Sequence, residues 1–350
     1  MSRQYATQTR YPEIVVASSP HSCAIGESSA GAEHFVTRAE LEQSLAGIAA
    51  RCSHPLAGIF GPDSISWKIN RESALFLGAG RAAILQLAHP WVATALEHHS
   101  NLLADPIARF HNTFRIVLTM NFGTLEQALA AARHLYARHA GIRGQMSEEI
   151  AAYRRGSRYE ANEISALRWV FATLVESAVL AFEAVMPPLS EAERAAYYDE
   201  TKTLAGLFGL PAAALPEEWS DFEAYIAEMT RSSALGVTQV ARSMAHSILA
   251  GSGSWIDPPE WYCALTATWL PERFRAEFGL RFGETEQRRA ERALRVLPRV
   301  YRWLPAMLRF IGPWHEAVAR LAGGRVGWIA ELSNRFWIGE PHMPFADVNE

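Results

Sequence analysis

At 350 residues the chain has room for one large helical domain or two smaller ones, and at 49% hydrophobic content it holds ample material for a core. Its 33 basic and 37 acidic residues are mixed along the chain to a formal charge of -4, so nucleic acid is not an expected partner, and Lys68 and Lys202 are the only lysines, which nearly excludes amine-nucleophile chemistry. Cys23, Cys52 and Cys263 are too scattered for a disulfide framework and form no CxxC or CxxCH, so structural zinc and covalently attached haem lack their usual marks and a reducing, cytoplasmic setting is expected.

Residues 1–50 are rich in Ser, Ala and Gly, with a short helical pattern from Arg38 to Ile48 and no apolar run after the basic residues near the start. They are expected to form a flexible leader without a secretory signal. From Gly61 onward apolar residues recur at three and four positions between Pro and Gly breaks, and alternating runs are scarce. The expectation is an all-α fold: one large globin-like helical bundle over 51–325, with 326–350 as a C-terminal extension.

The first bundle helix is expected from Asn70 to about Ala88, broken at His89-Pro90, where proline donates no hydrogen bond and disfavours a helical predecessor. Gly78 and Gly80 in it permit close approach of a neighbouring helix or of a flat cofactor. Asp105-Pro106 is a cap followed by a first-turn proline and predicts a helix to Gly123; Thr124 and Gln127 form a capping box for the next, ending near Gly141 or Gly144. Together these make an αα-hairpin. Helices follow over 163–186, stopped by Pro187-Pro188; over 190–206 behind the Ser190/Glu193 capping box; and over 216–234, 236–250, 258–270 and 285–303. Leu167 to Met186 is the best membrane-span candidate, but Arg168, Glu176 and Glu183 make it a buried bundle helix instead. In the last helix Arg288, Arg289, Arg292, Arg295, Arg299 and Arg302 alternate with Leu294, Leu297, Val300 and Leu304. Two readings stay open there: a bundle helix with a solvated basic face, or peripheral contact with a membrane surface.

The hairpin carries the chemistry. Arg109 and Thr113 stand i, i+4 on one face, and His139 ends the inward stripe Ala128, Ala132, Leu135. Arg109 lies 14 residues before Gly123 and His139 lies 16 after it, so at about 1.5 Å per residue they sit at similar depth. A flat cofactor fits between them if the helices splay. On spacing alone each has a plainer reading: His139 complementing its helix C-terminus, Arg109 pairing with Asp105, Thr113 bonding back to a carbonyl. His89 is read either as bonding the carbonyls freed at the proline break or as an acid-base group. No GxSxG or HExxH supports a hydrolase.

Ordered motifs then add a resemblance. Gly61-Pro62-Asp63-Ser64 with Trp67, Gly80-Arg81-Ala82, Gln86-Leu87-Ala88-His89-Pro90, His99-Ser100, Asp105-Pro106, Arg109 with Thr113, His139-Ala140-Gly141-Ile142-Arg143-Gly144, and Trp169 with Ala172-Thr173-Leu174 resemble a helical family. It was long catalogued as a domain of unknown function and includes rubber oxygenase (latex-clearing protein) and the oxygenase of mycophenolic acid biosynthesis. The match spans about residues 55 to 320.

The resemblance implies a non-covalent haem b held by His139, with Arg109 and Thr113 on the distal side; Asn112, beside Thr113, and His89, from its place at the proline break, are further site candidates. It implies oxidative cleavage or oxygenation of a hydrophobic, isoprenoid-like alkene by dioxygen. The sequence departs from the family twice: Asn112 stands where rubber enzymes have a lysine that can reach the sixth iron position, and Phe171 stands where many relatives have a histidine. A haem-binding sensor or carrier, and a cofactor-free helical interaction protein, are the alternatives.

Overall fold

Several helices begin where the sequence supplies an acceptor for the unpaired amides of a first turn. Thr37 and Glu40 close a reciprocal capping box over α1 (Arg38–Arg51). The Ser64 hydroxyl accepts from Trp67 N–H to start α2 (Ile65–Asn70), and α3 (Phe76–Leu87) follows a 3-10 turn at Ser73–Leu75. α4 (Pro90–His99) and α5 (Pro106–Phe122) each open on proline, α5 behind the Asp105 carboxylate, which accepts from Ala108 N–H at 2.9 Å. The Thr124/Gln127 box starts α6 (Leu125–Ala140). A short antiparallel hairpin, β1 (Arg143–Gln145) with β2 (Arg158–Glu160), leads to α7 (Ile164–Glu183). α8 (Glu191–Leu207) carries the Ser190/Glu193 box; α9 (Trp219–Arg231), α10 (Gln239–Leu249), α11 (Glu260–Trp269), α12 (Glu272–Glu277) and α13 (Glu284–Tyr301) continue the bundle. α14 (Ala306–Arg309), α15 (Gly312–Leu321) and α16 (Trp328–Ile338) complete it.

This is the architecture of a computed structural model that describes residues 35–100, 105–254 and 257–345. The described residues make an all-α bundle and belong to one compact unit. At its centre lies α7, mostly apolar: Trp169, Phe171, Ala172 and Thr173 are fully buried, α3 runs along it, and its charged Arg168, Glu176 and Glu183 sit at its partly exposed edge. It is the one helix among the described residues long and apolar enough to cross a membrane, and most of it is covered by protein. A Cβ at Gly78 would lie 2.4 Å from the Ser177 carbonyl oxygen, so α3 and α7 touch backbone to backbone. At Gly80 a Cβ would instead lie 3.0 Å from the Tyr262 and Thr266 hydroxyls of α11. Both glycines let their helix pack closely, and both also line the cavity described below.

Three boundaries differ from the sequence reading. The expected leader over 1–50 ends earlier, because α1 buries Leu41, Leu45 and Ile48 against α8; residues 1–34 lie outside the described residues. The helix expected from Asn70 begins only at Phe76, behind the 3-10 turn, and Asn70 closes α2 instead, because residues 71–72 are held by the chain near 309–311. Arg71 O accepts from Ile311 N–H at 2.9 Å, and the buried Glu72 carboxylate takes Arg309 at 2.8 and 2.9 Å. The expected C-terminal extension is built into the bundle: α16 packs on α5 and α15, Arg115 donates to Ile338 O at 2.9 Å, and Gln127 donates to Met343 O and Pro344 O.

Candidate functional site

A cavity of about 320 Å³ lies between α3, α5, α7, α10 and α11. Its wall follows α5 from Pro106 to Asn121, a run of about 22 Å at 1.5 Å per residue. Most of the lining is apolar, including Phe76, Phe110, Phe114, Val117, Phe171 and Leu174. This is the ordinary make-up of a small-molecule site, with a few polar groups placed among apolar walls.

Three of those polar groups form a stripe along α5, and others come from the surrounding helices, among them Asn70, Gln86, Ser177 and Tyr262. Arg109, Thr113 and Asn121 repeat at i, i+4 and i+12, with Val117 between them. The far end is satisfied within the protein: Asn70 Nδ2 donates to Asn121 Oδ1 at 2.9 Å, Asn121 Nδ2 donates to Val117 O at 2.8 Å, and buried Tyr197, whose phenol burial pushes up, bonds Asn70. The near end is not. Arg109 is partly buried and has no carboxylate partner among the described residues. The carboxylate that the sequence offered it, Asp105, caps its own helix instead. Burial first and the Arg138 guanidinium second lower the pKa of Arg109, the electrostatic mark of a cation without a counter-charge.

His139 adjoins Arg109, although it does not line the cavity itself. Burial first, then the Arg109 and Arg138 charges, hold its pKa down to about 4, while a hydrogen bond with the Asn162 side chain works in the opposite direction. The imidazole is therefore held neutral at pH 7, with the Asn162 side chain beside it. The depth argument from the sequence holds to this extent: the two groups are close enough to feel each other across the packed α5–α6 pair.

The other sequence candidates fall elsewhere. Thr113 lines the cavity, and its hydroxyl donates to Arg109 O at 3.0 Å. Asn112 lies off the wall, turned by the helical pitch away from the face that Phe110, Thr113 and Phe114 form. His89 is also off the wall and does not bond the carbonyls freed by Pro90. Trp169 Nε1 donates to Leu85 O and Gly236 N–H to Ala88 O, both at 2.8 Å. The His89 ring is buried against Trp91 and Tyr153, with Nε2 3.4 Å from the Tyr153 hydroxyl and Nδ1 unpartnered. Burial alone holds its pKa to about 4.

Sequence reasoning missed Asn162, Asn70, Asn121 and Tyr197. Asn121 was open to discovery, since it continues the Arg109–Thr113 spacing. Asn162 was not, because only the turn after β2 brings it to His139.

Among the described residues no group of three or more His, Cys, Asp or Glu could hold a bare metal ion. A haem asks for less, since its porphyrin supplies the other iron ligands and one imidazole suffices. A neutral histidine, an uncompensated guanidinium and an adjoining apolar cavity fit that requirement. Residues 67–303 match the family model described as ER-bound oxygenase mpaB/B'/rubber oxygenase, catalytic domain. No curated protein and no solved structure matches the chain.

Proposed function

We propose, on the premise that the chain belongs to the family of the ER-bound oxygenase mpaB and rubber oxygenase catalytic domains, that it is a haem-b-dependent oxygenase acting with dioxygen on a small hydrophobic, isoprenoid-like alkene. The observation that carries this reading is Arg109: an unpaired guanidinium on the wall of an apolar cavity, beside a neutral histidine.

His139 is the residue that would hold the iron. Its depressed proton affinity leaves a ring lone pair free at neutral pH, and the neighbouring Asn162 side chain would orient the ring, as outer-shell partners of ligating histidines do. Bound haem would supply the oxygen chemistry that these side chains lack. Arg109 offers fixed positive charge to an anionic group at the cavity's near end, in surroundings where such charge acts strongly. The phenylalanines and aliphatic side chains of the wall exclude water and suit an apolar substrate. Asn112, short and turned off the wall, sends no amine toward the iron.

An absorption spectrum of the purified protein with a pyridine haemochrome assay tests the cofactor. A Soret band is expected, and His139→Ala is expected to lose it; no Soret band after reconstitution with haem, or an unchanged spectrum in the variant, overturns the proposal. Oxygen uptake with an alkene then separates an oxygenase from a haem carrier, which shares the spectrum but turns nothing over.

A further inference from the structure

α13 turns two stripes of opposite character to the outside. Its inner face is buried: Ala290, Ala293 and Tyr301 pack toward α11 and the start of α3. Outside, Arg288, Arg292, Arg295, Arg299 and Arg302 follow one another at three- and four-residue steps and all are exposed. At 100° per residue they fall within a sector roughly 80° wide. Immediately beside that sector, Val296, Val300 and Trp303 repeat the spacing at 45%, 54% and 77% exposure.

Most of the charge on this face is uncompensated. Arg288 is paired with Glu284 at 2.8 Å, and Arg289 turns to Glu260 and Glu286. Arg292, Arg295, Arg299 and Arg302 have no carboxylate partner among the described residues. Arg295 and Arg299 rest on the main-chain carbonyls one turn earlier, and Arg302 lies 5.3 Å over the Trp303 ring. Glu291 is the acidic group left exposed among them.

A row of unpaired guanidiniums along an exposed ridge of Val, Val and Trp complements one kind of surface well: phosphates in a plane, with hydrocarbon just beneath. A soluble acidic partner would use the arginines and leave the ridge wet. We infer that the outer face of α13 seats on an anionic phospholipid bilayer, with Arg292, Arg295, Arg299 and Arg302 among the headgroup phosphates and Val296, Val300 and Trp303 at the acyl boundary. This rests on α13 alone and does not depend on the haem reading.

Sedimentation of the full chain with vesicles tests it. The protein is expected to pellet with phosphatidylcholine vesicles containing phosphatidylglycerol and to stay in solution with phosphatidylcholine alone. Partitioning is expected to fall at high salt, and on the order of tenfold or more in Arg295→Glu/Arg299→Glu. Trp303→Ser is expected to weaken it several-fold while leaving the salt dependence in place. All three side chains are exposed, so matching circular dichroism and thermal midpoints show that each variant is folded. Wild-type protein that remains in the supernatant with anionic vesicles overturns the inference, as does binding that neither variant alters. A dimer in light scattering that Trp303→Ser dissolves also overturns it, because the ridge then belongs to a second copy of the chain.

Discussion

Two arginines, one on α3 and one on α5, show how the same side chain serves packing in one place and a site in another. Arg81 is 3% exposed, and each of its nitrogens is answered: Nε donates to Trp269 O at 2.9 Å, and the two terminal nitrogens reach Ser177 Oγ at 2.9 Å and Glu176 at 2.6 Å. It ties α3 to α7 and to the end of α11 and leaves nothing over for a ligand. Arg109 has the opposite character: a cavity in front of it, another arginine and a histidine beside it, and no carboxylate. Burying charge without a partner is costly, so a fold that keeps Arg109 there holds binding potential at the expense of stability.

The comparison breaks if the two substitutions behave alike. Arg81→Leu strands Glu176 and the Trp269 carbonyl and is expected to cost about 3–5 kcal/mol, the usual penalty for removing one partner of a buried pair. Arg109→Leu is expected to leave stability within about 1 kcal/mol of the parent, or to raise it, while abolishing most oxygenase turnover. Urea denaturation of both variants decides the matter. A large loss of stability in Arg109→Leu would mean that the guanidinium is structural.

Acid sharpens the contrast between groups that the bundle buries neutral and groups that it pairs. His89 is fully enclosed, with its pKa held to about 4 against an ordinary 6.5. Between those values the unfolded chain takes up a proton that the folded chain refuses, so stability falls as pH falls through the window. His89 contributes up to about 3 kcal/mol of that fall. In His89→Gln the denaturation midpoint is expected to vary less between pH 6.5 and pH 4, and an unchanged slope would assign the acid sensitivity elsewhere.

Most of the fold was legible because its punctuation is local. Thr124 with Gln127, Ser190 with Glu193, and Asp105 before Pro106 fix helix starts by contacts within four residues, and Pro187-Pro188 marks an end. What was hidden depends on partners far along the chain. The split after Asn70 needs Arg309 and Ile311, and the role of α16 needs Arg115. β1 and β2 are three polar-flanked residues each, too short for an alternation to register. In the site, Arg109 and Thr113 were legible from helical spacing. Asn162 was invisible because an asparagine before a helix reads as turn chemistry until the tertiary fold places it on His139.

That hidden residue gives the next test. If His139 holds haem as proposed and Asn162 orients it, Asn162→Leu is expected to lower haem affinity about 10–100-fold, as loss of an outer-shell partner does, and to shift the Soret maximum. Asn162→Asp, which keeps an acceptor, is expected to restore much of the affinity. Equal loss in both variants would mark Asn162 as a packing residue.

The smallest effect belongs to Thr113, and its smallness is informative. Its i, i+4 pairing with Arg109 places it on the cavity wall, yet its proton is already given to Arg109 O at 3.0 Å, so the hydroxyl can only accept from whatever occupies the cavity. Thr113→Val removes that acceptor and a helix-internal bond at almost constant volume. It is expected to change stability by about 1 kcal/mol or less and to lower turnover well under the loss in Arg109→Leu. Steady-state oxygen uptake on the two variants measures the difference. A loss in Thr113→Val as deep as that in Arg109→Leu would mean that the hydroxyl leaves the carbonyl and donates into the cavity during turnover, and that α5 carries two working groups where its resting geometry offers one.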